Sequence, residues 1–287
     1  MVRALPGGRV EQLEHGAIGT RLGEGLRDAG PLHPAGRART LDAVRLFAER
    51  VRAHGARPFA IATSAMRRAS DAADFAAEVA AAVGAPLEVL DGAEEAACSF
   101  AGATAGAPRD GARRAVLDIG GGSTECATGR DGVLENARSI EIGSVRLTER
   151  YPNLAGGAPG EPARRAATAA REMLRTDLAW LRGFAPVAEV RAVAGTPLTL
   201  AAVAFGSSVD LVSGRALALA EIDALLLRML DLDLDGRKAL PGMLAQRADV
   251  LAGGGLILSE ALRALGVTET RLESDDLLLG FLLRHVG

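Results

Sequence analysis

The stretch Val116-Leu117-Asp118-Ile119-Gly120-Gly121-Gly122-Ser123-Thr124-Glu125 sets an acid, three consecutive glycines, two hydroxyls and a second acid between hydrophobic residues. Residues 116 to 119 read as a buried strand. The glycines then allow a tight turn whose N–H groups face outward, with no side chain in the way of an approaching anion. Gly120, Gly121, Gly122, Ser123 and Thr124 are therefore the expected phosphate contacts, the last two adding hydroxyl donors. Asp118 and Glu125 bracket the turn with carboxylates that would repel a phosphate unless a hard divalent cation, Mg2+ or Mn2+, sat between them, so both are expected metal ligands. A plain hairpin turn needs only one or two residues at positive φ. Flanking acids and a Ser-Thr pair have no role in one.

Downstream, Glu125 to Thr128 reads as a strand, Arg130-Asp131-Gly132 as a turn, and Val133 to Ile142 as a third strand, a β-meander. P-loop and dinucleotide folds instead run from the glycine loop into a helix. The G-x-x-x-x-G-K-[ST] pattern is missing, and Lys238 is the only lysine, which removes any mechanism built on a P-loop lysine. The third strand leaves through Gly143 into a short helix.

Upstream, Pro6-Gly7-Gly8 turns the chain between a short apolar piece, Val2 to Leu5, and a strand from Arg9 to His15. Residues 18 to 25 are too glycine-rich for a helix. The apolar stripe of Pro34 to His54 predicts a helix ended by Gly55. A buried strand, Phe59 to Ala62, brings Thr63 to Arg68 to its carboxyl end, where open α/β sheets place ligands. A helix over Ser70 to Val83, a strand over Leu87 to Leu90 and a helix from Asp91 to about Gly102 follow, with Glu94 and Glu95 in its first turn. First-turn acids also complement a helix dipole, so that reading stays open for Glu95. Arg67 reads equally as a solvated helix-end charge.

Ala105 to Arg114, rich in Gly, Pro and charge, is the expected boundary between domains 1–112 and 113–287. Past the meander, a helix over Ala163 to Leu181, a strand over Ala188 to Ala194 and a tight turn at Gly195-Thr196-Pro197 lead into a helix through Phe205, a second entry where amides could face an anion. Helices over about 219 to 231, 237 to 245 and 254 to 265 follow, with Gly253-Gly254-Gly255 at a helix entry, then a strand over Thr270 to Glu273 and a helix from Asp275. Glycines serve backbone crossings more often than ligands, and that alternative stays open for Gly195 and Gly253. The strand and helix alternation predicts an α/β fold.

A chain of 287 residues, 48% hydrophobic and only 3% aromatic, is long enough for two modest domains with aliphatic cores. The net charge of −3 argues against general nucleic-acid binding. Cys98 and Cys126 lack metal-ligand spacing and read as buried thiols suited to a reducing cytoplasm. The uncharged run Ala192 to Val209 is interrupted by Gly195, Pro197 and Gly206 and lacks sustained Leu or Ile, so no membrane span is expected, nor a secretion signal. The four histidines sit in no ligand spacing.

The motifs D-I-G-G-G-S-T-E at 118 to 125, A-T-S-A-M-R at 62 to 67, D-G-A-E-E-A at 91 to 96, I-G-S-V-R-L-T-E at 142 to 149, A-G-T at 194 to 196 and R-A-D-V-L-A-G-G at 247 to 254 resemble, in order and spacing, the exopolyphosphatase/guanosine pentaphosphate phosphohydrolase (Ppx/GppA) family, in its short two-domain form. The resemblance implies the two-domain α/β fold of the actin, sugar kinase and heat-shock ATPase superfamily (ribonuclease H-like), with substrate in a cleft between the domains. It implies that Glu95 is the catalytic glutamate that orients and deprotonates water, and that Asp118 and Glu125 are metal-site carboxylates. Gly120 to Ser123 would form the phosphate loop, Arg67 would meet the substrate's phosphates, and Gly143 and Gly195 would line the phosphate site. The implied partner is inorganic polyphosphate or guanosine pentaphosphate, with no nucleic acid and no membrane, and a homodimer is allowed for. Three positions depart from the family pattern: no D-x-G-T-N-S loop precedes Val10, Ala97 stands where arginine is usual, and Asp71 stands where asparagine is common.

The leading expectation is a Mg2+-dependent phosphohydrolase of polyphosphate, or its close variant acting on guanosine pentaphosphate. A non-catalytic phosphate- or nucleotide-binding relative without the first loop is the alternative from another class, and a sugar kinase or ATPase of the superfamily is the third. Coding DNA upstream of Met1 separates the first two, since an in-frame D-x-G-T-N-S there restores the enzyme reading.

Overall fold

The computed structural model describes residues 1–5, 9–26 and 29–285, and the chain divides into two compact units: Met1–Glu94 with the chain end from Leu283, and Glu95–Leu282. In the first, β1 (Val2–Leu5) and β2 (Arg9–Gln12) pair antiparallel, Val2 opposite Gln12. The turn expected at Pro6-Gly7-Gly8 lies outside the described residues. Helix α1 (Pro34–Ala53) opens on a proline, whose fixed φ and missing N–H suit that position, and Gly55 follows its end at φ 59°. Then come β3 (Ala60–Ala62), α2 (Ser64–Arg68), α3 (Ala72–Val83) and β4 (Leu87–Val89), with β3 and β4 parallel. Leu26, Leu32, Met66, Phe75 and Val79 form this unit's core. Asp71 accepts from the Leu32 amide at 2.9 Å and from Arg37 at 2.6 Å, a structural clamp that holds its carboxyl below the usual range, chiefly through the backbone bond.

The second unit is built on a six-stranded sheet. Helix α4 (Gly92–Thr104) leads into the meander β5 (Arg113–Ile119), β6 (Thr124–Arg130) and β7 (Val133–Ile140). Helices α5 (Ser144–Arg150) and α6 (Glu161–Asp177), strand β8 (Glu189–Val193), α7 (Gly195–Phe205), β9 (Ala216–Ala218), α8 (Leu219–Leu230), α9 (Leu234–Lys238), α10 (Leu251–Leu265), β10 (Glu269–Leu272) and α11 (Leu277–Leu283) follow. The strand order is β7-β6-β5-β8-β10-β9, antiparallel through the meander and parallel from β5 through β8 to β10.

Strand alternation sorts the sheet's residues between two faces. Ala115, Leu117, Ile119, Cys126, Val190 and Ala192 join the large aliphatic core with residues of α6, α7, α8 and α10. Val116, Ala127 and Val193 turn the other way and pack against Ala96, Phe100 and Ala103 of α4. This packing attaches α4 to the sheet, so the second unit begins at Glu95 and the connector 105–114, expected to divide the chain, lies inside it.

One other expected element changes, and one strand was not expected. The helix expected over 237 to 245 is the shorter α9, because Pro241 cannot continue a helix and Gly242 takes φ 81°. Strand β9 is a three-residue edge strand, too short for alternation to register. Both cysteines are buried free thiols. Among the described residues no helix is long and apolar enough to cross a membrane.

Candidate functional site

The β5–β6 turn is short, with Ile119 opposite Thr124 as the last pair, so the next pair inward is Asp118 opposite Glu125. Two acids therefore face each other directly across an antiparallel pair, an arrangement that like charges disfavour. Both are buried, Asp118 at 8% and Glu125 at 1% exposure. Alternation places them on the α4 face of the sheet, where that helix supplies Glu95, 6% exposed, and one turn later Ser99.

Burial is the main reason that both carboxyls hold their protons more tightly than usual. It pushes Asp118 from 3.8 up to about 7, helped by the charges of Asp276 and Glu95 and opposed by a hydrogen bond from Ser99. It also raises Glu125 well above the ordinary carboxylate value, with Asp118 and then Glu95 adding to the effect and Ser139 and Ser123 opposing it. The Ser99 hydroxyl donates to Asp118 Oδ2 at 2.5 Å, and the Ser139 hydroxyl, opposite Glu125 on β7, donates to Glu125 Oε1 at 2.7 Å. Glu125 Oε2 is buried and has no hydrogen-bond partner. A buried acceptor left unmatched beside a second buried carboxylate fits a divalent cation, which would satisfy the oxygen and remove the repulsion together. Among the described residues no group of three or more His, Cys, Asp or Glu is arranged to hold a metal. Two carboxylates completed by water and substrate oxygens are the usual manner of Mg2+.

The glycine loop is held from behind. The amides of Ser144 and Val145 donate to the Gly120 and Gly121 carbonyls at 2.9 and 3.0 Å, so the first turn of α5 docks on the loop's oxygens. Gly120 N–H closes the turn on the Ser123 carbonyl at 3.1 Å. Among the described residues the amides of Gly121, Gly122 and Ser123 make no hydrogen bond, and Gly121 is exposed. The Thr124 hydroxyl donates to the Ile142 carbonyl at 2.6 Å and braces the loop from within, while Ser123 lies beside Glu125. The Thr124 hydroxyl is thus engaged within the loop, while the amides of Gly121, Gly122 and Ser123 remain as donors for an anion.

None of the three loop glycines has positive φ. At Gly143, behind the loop, a Cβ would stand 2.5 Å from the Gly121 carbonyl oxygen and 2.6 Å from Gly122 N. Gly143 lets α5 reach the loop. Gly195 opens α7 just after Val193, the β8 partner of Asp118, and the Arg247 guanidinium lies against it, with Nε 2.7 Å from where a Cβ would be. Gly253 and Gly254 lie within α10, not at its entry, and let it pack closely on Ser144 and Thr148 of α5 and on Thr196 of α7.

The structure therefore gathers Glu95, Asp118, Glu125, Gly120 to Thr124 and Gly143 at one end of the second unit's sheet. Arg67 belongs to the first unit, on α2, and donates to the Leu90 carbonyl at 2.9 Å. Sequence reasoning passed over Ser99, Ser139, Arg247 and Asp276. Ser99 was visible as a hydroxyl one helical turn after Glu95; Ser139 needed the β6–β7 register.

The Ppx/GppA phosphatase family model matches residues 6–283. The chain belongs to that family. Exopolyphosphatase 2 of Mycobacterium tuberculosis is 34% identical over 285 residues, spanning 93% of this chain and 87% of the relative. Among solved structures, an exopolyphosphatase-like protein superposes with a TM-score of 0.82 at 28% identity, over 93% of this chain and 89% of its own. An exopolyphosphatase from Cytophaga hutchinsonii gives 0.84 at 22% identity, over 99% and 92%, a likeness of fold. The α/β class expected from the sequence is the class of these relatives.

Proposed function

We propose that the protein is an exopolyphosphatase that removes terminal phosphate from inorganic polyphosphate, guanosine pentaphosphate being the alternative substrate of the same site. The observation that carries this reading is the buried Asp118–Glu125 pair, with one carboxylate oxygen unmatched, next to three unspent amides of the glycine loop. Carboxylates beside amides without intramolecular partners among the described residues suit a substrate that arrives as a metal-bound polyanion.

In this reading the amides of Gly121, Gly122 and Ser123 hold the terminal phosphate, and Asp118 and Glu125 would hold Mg2+ or Mn2+, which when bound would supply charge neutralisation for the transferring group. Glu95, buried on α4 on the same face of the sheet as both acids, orients a water and takes its proton. The water oxygen bonds to the terminal phosphorus and the bridging P–O bond breaks. Orthophosphate and a chain shorter by one phosphate leave. Arg67 is assigned to phosphate groups of the substrate by family resemblance.

The test is orthophosphate release from polyphosphate and from guanosine pentaphosphate, with and without Mg2+. Release that needs Mg2+ and stops on chelation is expected. A protein that binds polyphosphate tightly but releases nothing with any divalent ion would replace this reading by that of a binding protein.

A further inference from the structure

We propose that Ser99 and Ser139 are positioning residues for the Asp118–Glu125 pair: each places one carboxylate oxygen from a different element, and so decides which oxygen is turned to the cation. This rests on the reading of the pair as a metal site. The two hydroxyls come from different elements, Ser99 from α4 at 2.5 Å and Ser139 from β7 at 2.7 Å. These are the short lengths of hydroxyls bound to charged acceptors.

Ser99 departs from the usual behaviour of a helical hydroxyl. Thr104 on the same helix donates back to the Phe100 carbonyl at 2.7 Å, as Thr148 does to Ser144 on α5 at 2.8 Å. Ser99 instead reaches out to the sheet. The helix that carries it is held firmly. Ala96, Phe100 and Ala103 pack on Val116, Ala127 and Val193, and α11 crosses so closely that a Cβ on Gly280 would lie 2.8 Å from Gly102 N. Ser99 is 1% exposed, and its hydroxyl makes its hydrogen bond to Asp118. Ser139 sits directly opposite Glu125 in the β6–β7 register, so the ladder fixes its place as α4 fixes that of Ser99. With Oδ2 of Asp118 and Oε1 of Glu125 held, Glu125 Oε2 remains the unmatched buried acceptor. Partners that hydrogen-bond metal-ligating carboxylates set ligand orientation, and their loss weakens metal binding by about 10- to 100-fold.

The experiment measures Mn2+ binding to the full chain by electron paramagnetic resonance, alongside melting in EDTA and steady-state hydrolysis. Ser99→Ala and Ser139→Ala should each weaken Mn2+ binding by about tenfold or more, and Ser139→Thr, which keeps the hydroxyl in a strand that favours β-branched residues, should restore it. A hydroxyl that only satisfies a buried oxygen would change melting and leave Mn2+ affinity where it was. Should Ser99→Ala fail to fold, the Ser139→Ala and Ser139→Thr pair decides alone. If wild type binds Mn2+ and the alanine variants bind it equally well, the positioning role is overturned while the metal site stands. If wild type binds no Mn2+, the metal site and the positioning role fall together.

Discussion

Asp118→Asn is expected to stabilise the metal-free protein above neutral pH. Burial, with the charges of Asp276 and Glu95, pushes the Asp118 carboxyl from 3.8 up to about 7. A carboxyl whose folded pKa exceeds its unfolded one binds its proton more tightly when folded. Its stabilising contribution is therefore complete below about pH 4 and is lost as pH rises through about 7. At about 1.4 kcal/mol for each pH unit, that window corresponds to on the order of 4 kcal/mol, a ceiling because Glu125 and Glu95 share the same repulsion. Asparagine keeps an acceptor for the Ser99 hydroxyl and carries no charge. With roughly 2 °C of melting temperature for each kcal/mol in a chain of this size, the variant should melt several degrees above wild type in EDTA near pH 8. Near pH 4 the two should nearly coincide. Adding Mg2+ near pH 8 should raise wild type and leave the variant unchanged, because binding to the folded state alone stabilises it. Thermal melts followed by circular dichroism across that pH range are the assay. A variant that melts below wild type in EDTA near pH 8, or a difference between variant and wild type that does not grow from about pH 4 to about pH 8, would refute the buried-charge account.

Gly143→Ala drives a methyl to 2.5 Å from the Gly121 carbonyl oxygen, and such overpacking costs about 1–3 kcal/mol; a lowered melting temperature and a larger loss in kcat/KM than in stability are expected, whereas unchanged values of both would mean that α5 does not brace the loop. Arg237 is fully buried, donates to the Met229 and Leu154 carbonyls at 2.8 and 2.5 Å, and is pushed down to about 10 by burial. Arg237→Ala strips those carbonyls of their donor and should cost about 2–5 kcal/mol by denaturant unfolding, with phosphate release per folded molecule preserved; a cost under about 0.5 kcal/mol would show that the carbonyls find other partners.

How far the site could be read from the chain depended on whether the information was local. The strand Val116 to Ile119, the glycine turn and the meander are written in consecutive residues, and they appear where expected. Alternation even puts Asp118 and Val116 on one face with Leu117 and Ile119 on the other. The direct opposition of Asp118 and Glu125 followed only once the turn closed at Ile119 and Thr124, since a one-residue slip would have sent them to different faces. Contacts between distant segments left no local pattern. Ser99 is one small residue in an alanine-rich helix until β5 lies beside it, and nothing near Arg237 in the chain marks its burial against the distant Leu154 carbonyl. Gly143 resembled a plain helix entry, and its requirement comes from the backbone of a loop some twenty residues earlier.

The most direct test of the central claim is Glu95→Gln measured in parallel for polyphosphate binding and Mg2+-dependent orthophosphate release. Glutamine preserves the shape of the side chain on α4 and removes its ability to accept a proton, so binding should be retained while release falls by about 10²- to 10⁴-fold. Release at the wild-type rate from that variant would contradict the account by removing Glu95 from the chemistry.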